Sequence, residues 1–243
     1  MKQDEQSYSF SIMMIPDRKV SIYPSAATFL EEVVFPHAHI TSSDHDDDAS
    51  SSCSPSIRII IVCSTRERFR EQLFTSMNDS AVGQGGHRHG TTNTLLTKTI
   101  GVIAMASNVR LVFCPTVESL RAYIASSSNL RGALDDSDPG KKQQNSQGVR
   151  QGLAVLNLLA LHHYSKTAEF SAQGLSRTLA SVVELAARVR AELVLCECAD
   201  AGENALWDAQ VPLLSGSVDN NVGSVPVRRI LQRWFDIVNQ NGS

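Results

Sequence analysis

Two stretches of this chain have the residue types and spacing of a phosphate or metal site. GGHRHGTT (85–92) holds two glycines at the separation used by phosphate-binding loops, where backbone N–H groups converge on the anion. A threonine stands where such a loop carries its lysine. The stretch also follows a helical pattern and a polar run, whereas a phosphate loop must follow a strand directly, so a solvated loop is the expected structure. His37 and His39, and again His87 and His89, are His-x-His pairs, but no cysteine or carboxylate stands at compact ligand spacing except Asp44 and its neighbours. No metal site is expected at either pair.

Other reactive types are spread along the chain. Cys196 and Cys198 share one face of a predicted strand and read as core residues. His162 and His163 close an apolar run with no nucleophile beside them, and a structural role is expected. Ser171, Ser176 and Ser181 lack the strand-to-helix elbow of a hydrolase nucleophile. Arg228, Arg229 and Arg233, beside Trp234 and Phe235, form the best local cluster of basic and aromatic residues. It is the candidate surface for a nucleic-acid backbone and a stacked base, set against a charged outer face over buried aromatics. Lys141 and Lys142 share their loop with Asp135, Asp136 and Asp138, which cancel their field.

The elements that must position these groups alternate between strand and helix. IRIIIVC (57–63), VRLVFC (109–114), LAVLNLLAL (153–161) and LVLCEC (193–198) are apolar runs without polar alternation, expected as strands of a parallel sheet covered on both faces. Ser64 and Glu67 have capping-box spacing and open a helix with Phe69, Leu73 and Met77 on one side. Val117, Leu120 and Ile124 mark a second helix, and Leu175, Leu179, Val182, Ala186 and Val189 a third. Upstream, Val20 to Tyr23 reads as a strand and Ala26 to Phe35 as a short helix with Phe29, Leu30, Val33 and Val34 inward. The segment 225–238 fits either period and is assigned as strand. The predicted fold is α/β, a mostly parallel central sheet with helices on both faces.

At 243 residues one domain, 1–243, suffices. The polar stretches 41–56, 78–93 and 126–152 are expected to be disordered loops at its rim. The net charge of -3 leaves no global footprint of a dedicated nucleic-acid binder. The N-terminal stretch has the composition neither of a signal peptide nor of a membrane span, and the five cysteines suit a reducing compartment, so no membrane association is expected.

From Ile57 onward the order of elements resembles the core of the RecA-type ATPases, in particular the eukaryotic recombinase paralogues and their degenerate relatives. IIVCSTRERFREQL resembles the family's second strand and helix: Phe69 and Leu73 match, while Arg66 takes the place of the catalytic glutamate. LAVLNLLALHHYSKTAEFSAQGLSRTLASVVELA resembles the Walker B strand and the helix after it, with Asn157 where an aspartate would help to hold magnesium and Leu175, Arg177 and Leu179 echoing that helix. LVLCEC takes the place of the next strand and VRRILQRWF that of the late strands. In this register the phosphate loop falls on IYPSAATFL. Pro24 to Thr28 contains neither glycine nor lysine, and no glycine precedes Gly83.

Proline has no N–H, and the residues around it do not take the positive φ that such a cradle uses. Asparagine lacks the charge that favours magnesium. The resemblance therefore implies a subunit without catalysis, cofactor or metal, which works through protein assembly. The first expectation is an accessory subunit of a homologous recombination or DNA-repair complex, similar to the paralogue heterodimers of the Shu complex. Its partner would be another RecA-like subunit, with weak single-stranded DNA contact through Arg228, Arg229 and Arg233, in the nucleus and also the cytoplasm. The alternatives are a RecA-like subunit of an Elongator-type complex that handles transfer RNA, and a Rossmann-like nucleotide-dependent enzyme.

Overall fold

A computed structural model describes residues 17–34, 56–82, 99–107, 109–127, 151–165, 169–201, 206–213 and 223–237. Strand β1 (Arg18–Tyr23) leads into a short helix α1 (Ala26–Phe29), which continues as a π-helical turn (Leu30–Val34). β2 (Ser56–Val62) is followed by α2 (Arg66–Val82) and α3 (Ile100–Ser107), then β3 (Arg110–Phe113) and α4 (Val117–Ser126). β4 (Gln151–Leu156), α5 (Leu158–Tyr164), α6 (Ala172–Val189) and β5 (Glu192–Cys198) complete the centre. A short antiparallel pair, β6 (Gln210–Pro212) with β7 (Ser224–Pro226), precedes α7 (Val227–Leu231) and β8 (Asp236–Ile237).

The main sheet runs β3-β2-β4-β5-β1-β8, and every pairing in it is parallel. Parallel neighbours need crossovers, and right-handed crossovers fix which face each helix covers. The chain moves one way from β1 through β2 to β3 and the other way from β3 through β4 to β5. This sets α1 and α2 on one face, where they pack together, and α4 and α6 on the other, where they also pack together. The core lies between these layers. Ile60, Ile61 and Val62 of β2, Leu153 to Leu156 of β4, and Leu193 and Leu195 of β5 are buried, as the unbroken apolar runs require. β3 is the exception: it is the edge strand, and Arg110 and Leu111 are exposed.

The helices follow their predicted stripes. Val117, Leu120 and Ile124 of α4 are buried, as are Leu175, Leu179, Val182, Ala186 and Val189 of α6. Each of those two helices starts on a hydroxyl cap. Thr116 accepts from Ser119 N while Ser119 Oγ accepts from Thr116 N, and Ser171 Oγ accepts from Gly174 N. In α2 Phe69 is buried and Leu73 and Met77 are partly so.

Several expectations are corrected. The cap of α2 is Thr65, whose Oγ1 accepts from Arg68 N at 3.2 Å, not Ser64. The run 153–161 is not one strand: Asn157 turns the chain with φ 63° and ψ 39°, and 158–164 is helix. Asparagine tolerates this left-handed backbone better than most residues do, and so it can end a strand abruptly. Residues 227–231 are helix, not strand, because Val227, Ile230 and Leu231 bury one helical face. The inward helix 26–35 is α-helical only to Phe29; Phe29 is buried, Leu30 partly so, and the side chains of Val33, Val34 and Phe35 lie outside the described residues. Ser56, residues 78–82, 126, 127, 151 and 152 belong to helices and strands rather than loops. The remainder of the stretches 41–56, 78–93 and 126–152 lies outside the described residues.

Candidate functional site

In a parallel sheet the strands end together at one edge, and the helix that follows each strand begins there. At this edge β4 and β5 are stitched by Asn157. Its N–H donates to Cys196 O at 2.8 Å, and its Oδ1 accepts from Cys198 N at 3.1 Å, which extends the pairing beyond the last ladder pair, Leu156 with Cys196. The side chain is 2% exposed, and its Nδ2 reaches Gln72 Oε1 on α2 at 3.5 Å. The oxygen and the nitrogen of the amide thus each have a partner within the chain.

Gln72 passes the network on. Its Nε2 donates to Asp200 Oδ1, and Asp200 Oδ2 accepts from Ala26 N at 3.3 Å. Ser76 Oγ lies 2.8 Å from that same carboxylate oxygen and 2.7 Å from Gln72 O. Ser25 caps α1, with its Oγ accepting from Thr28 N at 3.2 Å. The amino end of the helix after β1 is thus answered from within the chain, by a serine hydroxyl and an aspartate.

A second carboxylate lies deeper. Glu197 of β5 is buried, and its Oε1 accepts from Leu159 N at 2.6 Å, at the first turn of α5. The amides of Leu158, Leu159 and Ala160 favour the ionised form, but burial outweighs them and pushes the carboxyl up to about 8. Cys63, Cys196 and Cys198 are buried, and burial raises each thiol, which leaves them poor nucleophiles and poor metal ligands. Among the described residues no group of three His, Cys, Asp or Glu side chains gathers as metal ligands, and no helix is long and apolar enough to cross a membrane.

Beside the network, a cleft of about 330 Å³ opens between the ends of β2, β3 and β4. Cys63, Val117, Ala160 and Leu161 contribute its apolar wall, and Thr65, Arg68, Thr116 and Glu118 stand among its polar residues. The Arg68 guanidinium carbon sits 4.7 Å from the centre of the Tyr164 ring, another residue of the lining.

Sequence reasoning placed some of these groups and missed others. Arg66 is the exposed first residue of α2, nearly two turns before Gln72. His162 and His163 lie in α5 rather than at a strand end. His162 is buried with Nδ1 3.0 Å from Glu169 O, and burial lowers its pKa. Ser171 is a helix cap, and Ser181 Oγ donates to Arg177 O.

Arg228 and Arg229 are exposed on α7 and Arg233 just after it, with Arg228 Nε 3.5 Å from Asp208 Oδ1. Trp234 is half-buried and Phe235 is buried against the core, so the indole is the accessible aromatic beside the arginines. Both His-x-His pairs and GGHRHGTT lie outside the described residues. Gln72, Glu197 and Asp200 were not foreseen. Only Glu197 carried a signal, as a carboxylate inside a run that must be covered on both faces.

No family model matches this chain, and no curated protein matches it.

Proposed function

We propose that this chain is a non-catalytic RecA-like subunit of a homologous recombination or DNA-repair complex in the nucleus, and that it works by assembling with another RecA-like subunit. The observation that carries this reading is the Asp200 carboxylate at Ala26 N. A phosphate loop would present that amide to the nucleotide, and here a negative charge of the chain itself stands beside it and repels a second anion. Asn157 and Arg66 support the same reading. The first has no charge for magnesium and is held by Cys198 N and Gln72, and the second is a cation in the position of the glutamate.

The strand order counts against the dinucleotide-binding alternative. Dinucleotide folds of order 3-2-1-4-5-6 keep their first strand beside the second. Here β5 and β4 both separate β1 from β2, so the sheet does not follow that order.

Affinity capture of the tagged chain from native extract, with identification of the bound chains, tests the assembly. Recovery of a recombinase-type partner is the expected result. Recovery of two other RecA-like chains with transfer RNA would replace it with the Elongator-type reading. Calorimetry with ATP and magnesium should show no binding, and saturable binding with turnover would overturn the non-catalytic reading.

A further inference from the structure

Open parallel sheets bind ligands at the crevice where the crossovers of adjacent strands depart in opposite directions. In this sheet β2 leads outward to β3 while β4 leads inward to β5, so that crevice lies between the carboxyl ends of β2 and β4. The 330 Å³ cleft stands at this point, one strand away from the network that closes the amino end of α1. Gln72 is the divider: it lines the cleft and also binds Asp200.

The cleft combines features that select one class of ligand. Its apolar wall of Cys63, Val117, Ala160 and Leu161 suits a flat hydrocarbon body, and its volume, at the small end for ligand pockets, fits roughly ten heavy atoms. Arg68 is the cation in the lining. Among the described residues it has no carboxylate partner, and the Tyr164 ring lies against its guanidinium, leaving its N–H donors for an anion. Thr65 and Thr116, the caps of α2 and α4, bring the positive ends of two full-length helices to the same cleft. Glu118 opposes them as the acid of the lining.

We propose that this cleft is a binding site for a small aryl anion, a planar ring bearing a phosphate monoester or a carboxylate, with the anion on Arg68 and the ring against Val117, Ala160 and Leu161. The site is independent of the assembly reading and of the α1 crevice.

The full-length chain, labelled with ¹⁵N, is titrated with phenyl phosphate in one arm and benzoate in the other. Saturable amide shifts confined to residues 64–68, 116–118 and 160–164 are expected, and the tighter arm identifies the anion. Arg68→Ala should weaken binding by about tenfold, while Arg68→Lys should retain part of it. Glu118→Gln should tighten binding about twofold or more by removing the opposing charge. Arg68 and Glu118 are both exposed, so these variants should fold, and unchanged dispersion of the remaining spectrum checks that they do. Absence of saturation in both arms, or binding indifferent to Arg68→Ala, would overturn the proposal. Neither result bears on ATP binding or on partner capture, which test the other reading.

Discussion

Replacing Glu197 with glutamine should make the protein more stable at neutral pH and remove a pH dependence. The carboxyl is buried in β5, and its pKa in the folded chain rises from 4.5 to about 8. A group whose folded pKa is raised binds more protons in the native state than in the unfolded one. Its stabilising contribution is therefore complete below pH 4.5 and declines as pH rises toward 8. At about 1.4 kcal/mol per pH unit, the decline is on the order of 3 kcal/mol by pH 7 and on the order of 5 kcal/mol above pH 8.

Glutamine keeps a carbonyl oxygen for Leu159 N and carries no charge to desolvate. The assay is urea unfolding of both proteins at several pH values between 5 and 8, read as the difference between them, so that His162, whose lowered pKa acts in the opposite direction, cancels. Glu197→Gln should gain on the parent steadily across this range. Parallel curves, or a parent that gains on the variant as pH rises, would refute the reasoning.

Three other outcomes follow from the geometry. Gly174→Ala should destabilise by about 1–3 kcal/mol in chemical unfolding, because the new Cβ would collide with the backbone carbonyl of Glu169, which a flexible side chain cannot relieve. Asn157→Ala should cost about 2 kcal/mol or more, by leaving Cys198 N unpaired and placing alanine in a left-handed backbone; Asn157→Gly should recover the backbone part of that loss. Asp200→Ala should lower stability by about 1 kcal/mol, since the group is exposed, and speed hydrogen exchange at Ala26; unchanged exchange there would remove Asp200 from the α1 terminus.

The β-branched and leucine runs of β2, β4 and β5 announced covered parallel strands, and the stripes of α4 and α6 announced their buried faces, because burial on both sides of a sheet or one side of a helix leaves a period that local sequence carries. Capping chemistry was legible to within one residue, Thr65 in place of Ser64. The turn at Asn157 was not, since LAVLNLLAL satisfies strand and helix patterns equally and only the backbone conformation divides it. The same ambiguity misplaced His162, His163 and residues 227–231.

The sequence by itself determined the α/β class, the buried runs and the absence of a glycine before Gly83, because composition and periodicity are local properties of the chain. The tertiary structure alone decided that Asp200 meets Ala26, that Gln72 joins Asn157 to Asp200 across three elements, and that Arg68 faces a cleft between β2 and β4. Those contacts span many residues, and they exist only because the crossovers reverse direction at β3 and bring distant strand ends to one edge.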